Sequence, residues 1–146
     1  MKHYFAYGSN LCIQQMQYRC PGHRCVGAGV LKGYRWIISA HGYANVVLSP
    51  ADAVCGFVYD LTETDEQALD LYEGVAKGLY RKEMLTVEVN DEELLCLVYV
   101  DPTQAEGPPR PGYIATINQG IADAHLPTAY VDRYIRPFTA GTRPLK

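Results

Sequence analysis

Residues 3–11 read HYFAYGSNL, and the way this stretch changes character halfway along sets the expectations for the rest of the chain. His3-Tyr4-Phe5-Ala6-Tyr7 is an aromatic and apolar run suited to a buried strand. Gly8-Ser9-Asn10 stops it at once with turn chemistry. Asn10 is a helix-capping residue type, so a helix is expected over about 11–18, ended by Cys20-Pro21-Gly22. Where a strand runs straight into a helix start, successive backbone N–H groups point outward and can hold a carboxylate or a developing oxyanion. Glycine at position 8 would let a ligand approach the backbone closely. A plain tight turn has the same local pattern, so the tetrapeptide alone leaves both readings open.

Beyond the first helix, strand-like runs follow at 26–31, 34–39, 44–48 and 54–60, separated by Gly33, by His41-Gly42 and by Ser49-Pro50-Ala51-Asp52. Thr62 has the chemistry to cap a helix from about 64 to 73, with Asp65 and Glu66 in the first turn and Gly74 just past the end. Strands at about 79–89 and 94–100 flank Asn90-Asp91-Glu92-Glu93, a hairpin turn. Pro102, Pro108, Pro109 and Pro111 make 101–112 a stiff surface connection. Ile114, Ile117, Ile121 and Ala124 then recur at helical spacing, and Val131, Tyr134 and Ile135 do so after Pro127. The expected fold is α+β, with a curved, largely antiparallel or mixed sheet closing into a small barrel with flanking helices.

The 146 residues, 48% hydrophobic and 20% charged, suit one domain over 1–146 with a real core. The 13 basic and 16 acidic residues are scattered, so no basic stripe favours nucleic acid or an anionic membrane surface. No stretch approaches the roughly 20 apolar residues of a membrane span, and the apolar opening is too short for a signal peptide. Cys12, Cys20, Cys25, Cys55 and Cys96 are odd in number and lie mostly in apolar or strand-like contexts, which predicts reduced thiols and a cytoplasmic location. Cys20, His23 and Cys25 are crowded donors without a distant partner pair, so no metal is expected. Gly27, Gly29 and Gly33 miss the dinucleotide-binding spacing and mark a bend in the sheet. No cofactor is expected.

Glu73 falls on the last turn of its helix, facing the negative end of the dipole, where propensity alone would not put a carboxylate. Asp70 lies three residues earlier on the same face, where a like charge would push the Glu73 pKa upward. Two solvated helix carboxylates would read the same way locally.

Three segments carry a resemblance. Tyr4-Phe5-Ala6-Tyr7-Gly8-Ser9-Asn10-Leu11 resembles the opening signature of the γ-glutamylcyclotransferase family. Leu69-Asp70-Leu71-Tyr72-Glu73-Gly74-Val75, continued by Gly78-Leu79-Tyr80, is similar to its segment around the catalytic glutamate. Pro109-Arg110-Pro111-Gly112-Tyr113, followed by Gly120, Leu126-Pro127 and Tyr130, is similar to its C-terminal pattern. The segments come in the family's order and span nearly the whole chain. The resemblance implies substrate held by Tyr4, Phe5, Ala6, Tyr7, Gly8, Ser9 and Asn10, catalysis by Glu73, and a binding contact from Tyr113. The chain begins almost at the signature strand and ends soon after the last helix, without the terminal extensions of some animal members. Fold and reaction type are therefore expected to transfer better than substrate identity.

The implied reaction is chemically self-consistent. The free α-amine nitrogen of a γ-glutamyl amide and its γ-carbonyl carbon are the two ends of a five-atom run, so attack closes a five-membered ring, and holding the chain folded supplies effective molarities of about 10⁵ M or more. The enzyme then has only to take a proton from the amine, stabilise the oxyanion and return a proton to the departing amine. The expected partner is a small-molecule γ-glutamyl substrate, with no nucleic acid and no membrane, and the chain as monomer or homodimer. Two alternatives stay open: a cyclotransferase for γ-glutamylamines or a biosynthetic intermediate, and a non-catalytic γ-glutamyl or carboxylate-binding module of the same fold.

Overall fold

A computed structural model describes residues 1–139. Five strands, β1 (Lys2–Ala6), β2 (Arg24–Ile38), β3 (Ala44–Leu61), β4 (Arg81–Val89) and β5 (Glu92–Val100), close into a barrel in the order β1-β3-β2-β4-β5. Neighbours are antiparallel except β1 and β5, whose parallel contact at Tyr4 and Leu97 closes the barrel. Helices α1 (Ile13–Arg19), α2 (Glu63–Tyr72) and α3 (Tyr113–Asp123) flank it. This is the expected α+β barrel.

Two expected breaks in the sheet are bulges instead. The runs 26–31 and 34–39 form one strand, bent where Gly33 takes a φ of +84° between Lys32 and Tyr34. Ser49-Pro50-Ala51-Asp52 is not a turn between strands but an interruption within β3. Leu48 pairs with Tyr34 and Ala53 with Lys32, so the four residues bulge out opposite the single Gly33. Their local turn chemistry survives in a 2.5 Å bond from Ser49 Oγ to Asp52 Oδ2, and Pro50, lacking an N–H, is placed where no ladder bond is required. The hairpin after β4 is tighter than expected: Asn90 and Asp91 alone turn the chain, both with positive φ, and β5 starts at Glu92. After Pro127 the helical periodicity appears as Thr128–Tyr130, a π-helical Val131–Ile135, and Arg136–Thr139.

Both faces of β1 are buried. Phe5 joins Trp36, Val54, Val58 and Val87 in one core cluster, while Tyr4 and Ala6, pointing the other way, join Leu11, Met16, Leu69 and Leu97 in a second. Met16 and Leu69 anchor α1 and α2 there, each burial stabilising the fold by about 1.5–3 kcal/mol. The start of α2 is fixed by a capping box, Asp65 N–H to Thr62 Oγ1 at 3.0 Å and Thr62 N–H to Asp65 Oδ2 at 3.3 Å. That start leaves Glu73 one step past the last turn, at the C-cap, rather than within it.

Candidate active site

A cavity of about 360 Å³ opens where the end of β1, the 3₁₀ turn Ser9–Leu11, the C-terminus of α2 and the β2–β3 turn meet. Of the expected residues, Tyr4, Tyr7, Gly8, Ser9, Asn10, Glu73 and Tyr113 line it; Phe5 and Ala6 do not. Their side chains are 0% and 1% exposed and belong to the two core clusters, where they build the strand that presents the others.

Gly8 sits in close quarters. A Cβ there would lie 3.0 Å from Ala44 Cβ and 3.1 Å from the Tyr113 hydroxyl. The loop is held from both sides, by the Trp36 indole N–H donating to Tyr7 O at 2.9 Å and by Leu11 N–H donating to Gly8 O at 3.1 Å. The Tyr113 oxygen accepts from Ala44 N–H at 3.1 Å, and the nearby Ser9 amide also works to lower its pKa against the larger effect of burial.

Glu73 is half-buried at the cavity wall, and burial raises its carboxyl from 4.5 to about 7, with the nearby Arg19 charge pulling the other way. Asp70 is not the cause. Its carboxylate accepts from the Tyr99 hydroxyl at 2.7 Å and from Lys82 Nζ at 3.0 Å, which turns it away from the role of a like-charge neighbour. The helix ends after Glu73 because Gly74 is left-handed, at φ +62°, and a side chain there would also collide with Leu79, which lines the cavity.

Five phenols, Tyr4, Tyr7, Tyr80, Tyr99 and Tyr113, lie within electrostatic reach of Glu73, and burial raises the pKa of each, with the Glu73 charge a lesser cause. Their protons are committed differently. Tyr7 donates to Tyr99 O at 2.5 Å, Tyr80 to Ala44 O at 2.8 Å and Tyr99 to Asp70, so these three offer only lone pairs. Tyr4 accepts from Asn10 Nδ2 at 2.9 Å and Tyr113 accepts from backbone amides, so these two retain a proton to donate. The cavity therefore holds a near-neutral base, neutral acceptors and two hydroxyl donors.

Asn10 does not cap a helix. It is 3% exposed, and its side-chain oxygen accepts from Gln15 Nε2 and Arg19 Nη1, both at 3.1 Å. The first N–H of α1, on Ile13, is satisfied by Asp123 of α3 at 2.9 Å. Arg19 is the cavity residue that sequence reasoning missed most completely. Its guanidinium lies 4.4 Å from the Tyr72 ring centroid, and only its place in the last turn of α1, nine residues after Asn10, hinted at it. His41, Tyr99 and Arg110 also line the cavity and were not expected there as ligands.

Comparison with known proteins places these features among relatives. Residues 53–134 match the AIG2-like family. A γ-glutamylcyclotransferase of Mus musculus is 31% identical over 144 residues, covering 89% of this chain and 75% of the relative. One of Bos taurus is 29% identical over 138 residues, covering 87% and 73%. A solved structure of a γ-glutamyl cyclotransferase superposes with a TM-score of 0.83 at 26% identity, covering 90% of this chain and 85% of that one.

Proposed function

We infer, since this chain belongs to the AIG2-like family, that it is an enzyme of γ-glutamylcyclotransferase type, closing the γ-glutamyl group of a small substrate on itself to release 5-oxoproline and the amine. The observation that carries the mechanism is the environment of Glu73: a carboxyl raised to about 7 by burial, beside both neutral acceptors and neutral donors. A group poised near neutrality works in both directions, as base and then as acid.

Lone pairs on Tyr7, Tyr80 and Tyr99 suit the substrate's α-ammonium, which hands a proton to ionised Glu73. The freed amine nitrogen attacks the γ-carbonyl carbon, and its electron pair forms the new C–N bond while the carbonyl π pair moves to oxygen. The hydroxyl protons left on Tyr4 and Tyr113 suit that oxyanion, with Tyr113 relaying the polarisation of the Ala44 and Ser9 amides that hold it. On collapse the oxyanion pair re-forms the carbonyl and the bond to the departing nitrogen breaks as neutral Glu73 returns the proton to it. The ring nitrogen, still carrying two hydrogens, gives up one through Glu73 to the freed amine, leaving the neutral lactam and the departing group as its ammonium. Because the nucleophile belongs to the substrate, the protein supplies folding of the chain, proton transfer and charge stabilisation.

A matched pair of γ-glutamyl compounds, free and N-acetylated at the α-nitrogen, tests this by mass spectrometry with catalytic amounts of protein. The free compound should give 5-oxoproline and the acetylated one should give no release. Comparable release of the amine from both would mean attack by a protein nucleophile and would overturn the cyclisation.

A further inference from the structure

Behind the cavity wall formed by the β2–β3 turn lies a polar group that the reaction above leaves unused. The Asp101 side chain is 0% exposed, yet it carries a full set of donors. Thr103 N–H reaches Oδ1 at 2.8 Å, while the Ser39 hydroxyl at 3.0 Å and His41 Nδ1 at 2.8 Å reach Oδ2. The main chain of Asp101 is held as well, by both ends of the Asn45 amide at 2.9 Å. An ionised carboxylate only accepts, so the proton in the bond to His41 sits on Nδ1. The Ser39 hydroxyl accepts His41 N–H at 3.2 Å and spends its own proton on Asp101. The imidazole is thereby fixed in orientation, and with a carboxylate on Nδ1 it can carry a second proton on Nε2, the form that donates to an anion. His41 is 48% exposed and lines the cavity. A buried carboxylate is a costly way to hold a ring that does nothing, since desolvating the charge opposes folding.

Arg110 completes the wall. Its Nε donates to His41 O at 3.0 Å and its guanidinium lies 5.3 Å from the Tyr43 ring centroid. No ion pair among the described residues involves it. The substrate's α-carboxylate shares a carbon with the α-amine, so it must stay beside Glu73, where Arg19 stands. Tyr80 lines the cavity together with Glu73 and His41, its hydroxyl bonded to Ala44 O at 2.8 Å at the start of β3. What extends from the γ-carbonyl away from the reacting amine is the departing group.

We propose that His41 and Arg110, with Asp101 as positioning residue, form a subsite for the carboxylate of a departing amino acid, so that the enzyme distinguishes γ-glutamyl amino acids from uncharged γ-glutamyl amines. This rests on reading the Glu73 cavity as a cyclotransferase site. The test compares γ-glutamylalanine with γ-glutamylalaninamide in two ways: kcat/KM for 5-oxoproline release, and affinity for Glu73→Gln protein by calorimetry. The acid should be favoured by about tenfold or more, the scale of one charge-assisted hydrogen bond. His41→Gln and Arg110→Gln should each lower kcat/KM for the acid toward that of the amide while moving the amide by no more than about twofold. Asp101→Asn should reproduce the His41→Gln loss and add nothing to it in the double variant, the signature of one residue acting through another. Should Asp101→Asn not fold, His41→Gln at its half-exposed position decides alone. Equal affinity for acid and amide, or equal loss on both, overturns the subsite. Absence of 5-oxoproline from both compounds would instead refute the cyclotransferase reading; the calorimetric preference, and its loss on adding His41→Gln, would still decide the subsite.

Discussion

Glu73→Gln should slow turnover by orders of magnitude and, above neutral pH, make the protein more stable. Burial lifts the carboxyl from 4.5 to about 7, against the pull of Arg19, so between those values the native state holds a proton that the unfolded chain has lost. The stability contributed by neutral Glu73 is full below about pH 4.5 and is lost as pH rises through about 7. The span corresponds to about 3 kcal/mol, with a slope of up to about 1.4 kcal/mol per pH unit. Glutamine keeps the shape and hydrogen bonding of the neutral acid and does not titrate. Urea unfolding followed by fluorescence of the buried Trp36, at constant ionic strength from pH 4 to 8.5, should show the two proteins nearly matched at the acid end. The variant should lead by up to about 3 kcal/mol at the alkaline end. kcat should fall by about 10²–10⁴. Parallel stability curves would refute the desolvated carboxyl, and near-normal kcat in the folded variant would refute its role as proton carrier.

The acid limb of the kcat/KM profile should have its midpoint near pH 7, and Arg19→Met should move that midpoint upward, because the Arg19 charge is what opposes the rise; an unmoved midpoint would assign the limb to another group. Gly8→Ala would set a methyl 3.1 Å from the Tyr113 hydroxyl. A displacement of a few tenths of an ångström there should cost about tenfold in kcat with little change in melting temperature, and full activity would refute the tight fit. Asn10→Ala should cost about 2–3 kcal/mol in urea unfolding, since it strips partners from Tyr4, Gln15 and Arg19 around a buried side chain. A loss below about 0.5 kcal/mol would mean those bonds are replaced by water.

What the sequence determined by itself was whatever local chemistry determines. Thr62 and Asp65 cap α2 because a side-chain oxygen three residues from an amide needs no help from elsewhere. Asn90-Asp91 turns the hairpin for a similarly local reason, and the division of β1 side chains between two core clusters follows from strand alternation alone. The strand, loop and glutamate segments quoted for the family resemblance were likewise readable one at a time. Tertiary structure decided the rest. Ser49–Asp52 reads as a turn, but barrel closure carries β3 through it as a bulge, since pairing with β2 on both sides outweighs the local preference. Asn10 reads as a cap, but its amide is claimed by Tyr4, Gln15 and Arg19 once α1 folds back beside β1. Asp70 reads as the charge that tunes Glu73, but Lys82 and Tyr99, from strands that meet α2 only in the closed barrel, hold it elsewhere. The pKa of Glu73 is set instead by exclusion of water, and exclusion of water is a property of the walls around a residue: here they come from segments as far apart as residues 4 and 113, which no window along the chain contains.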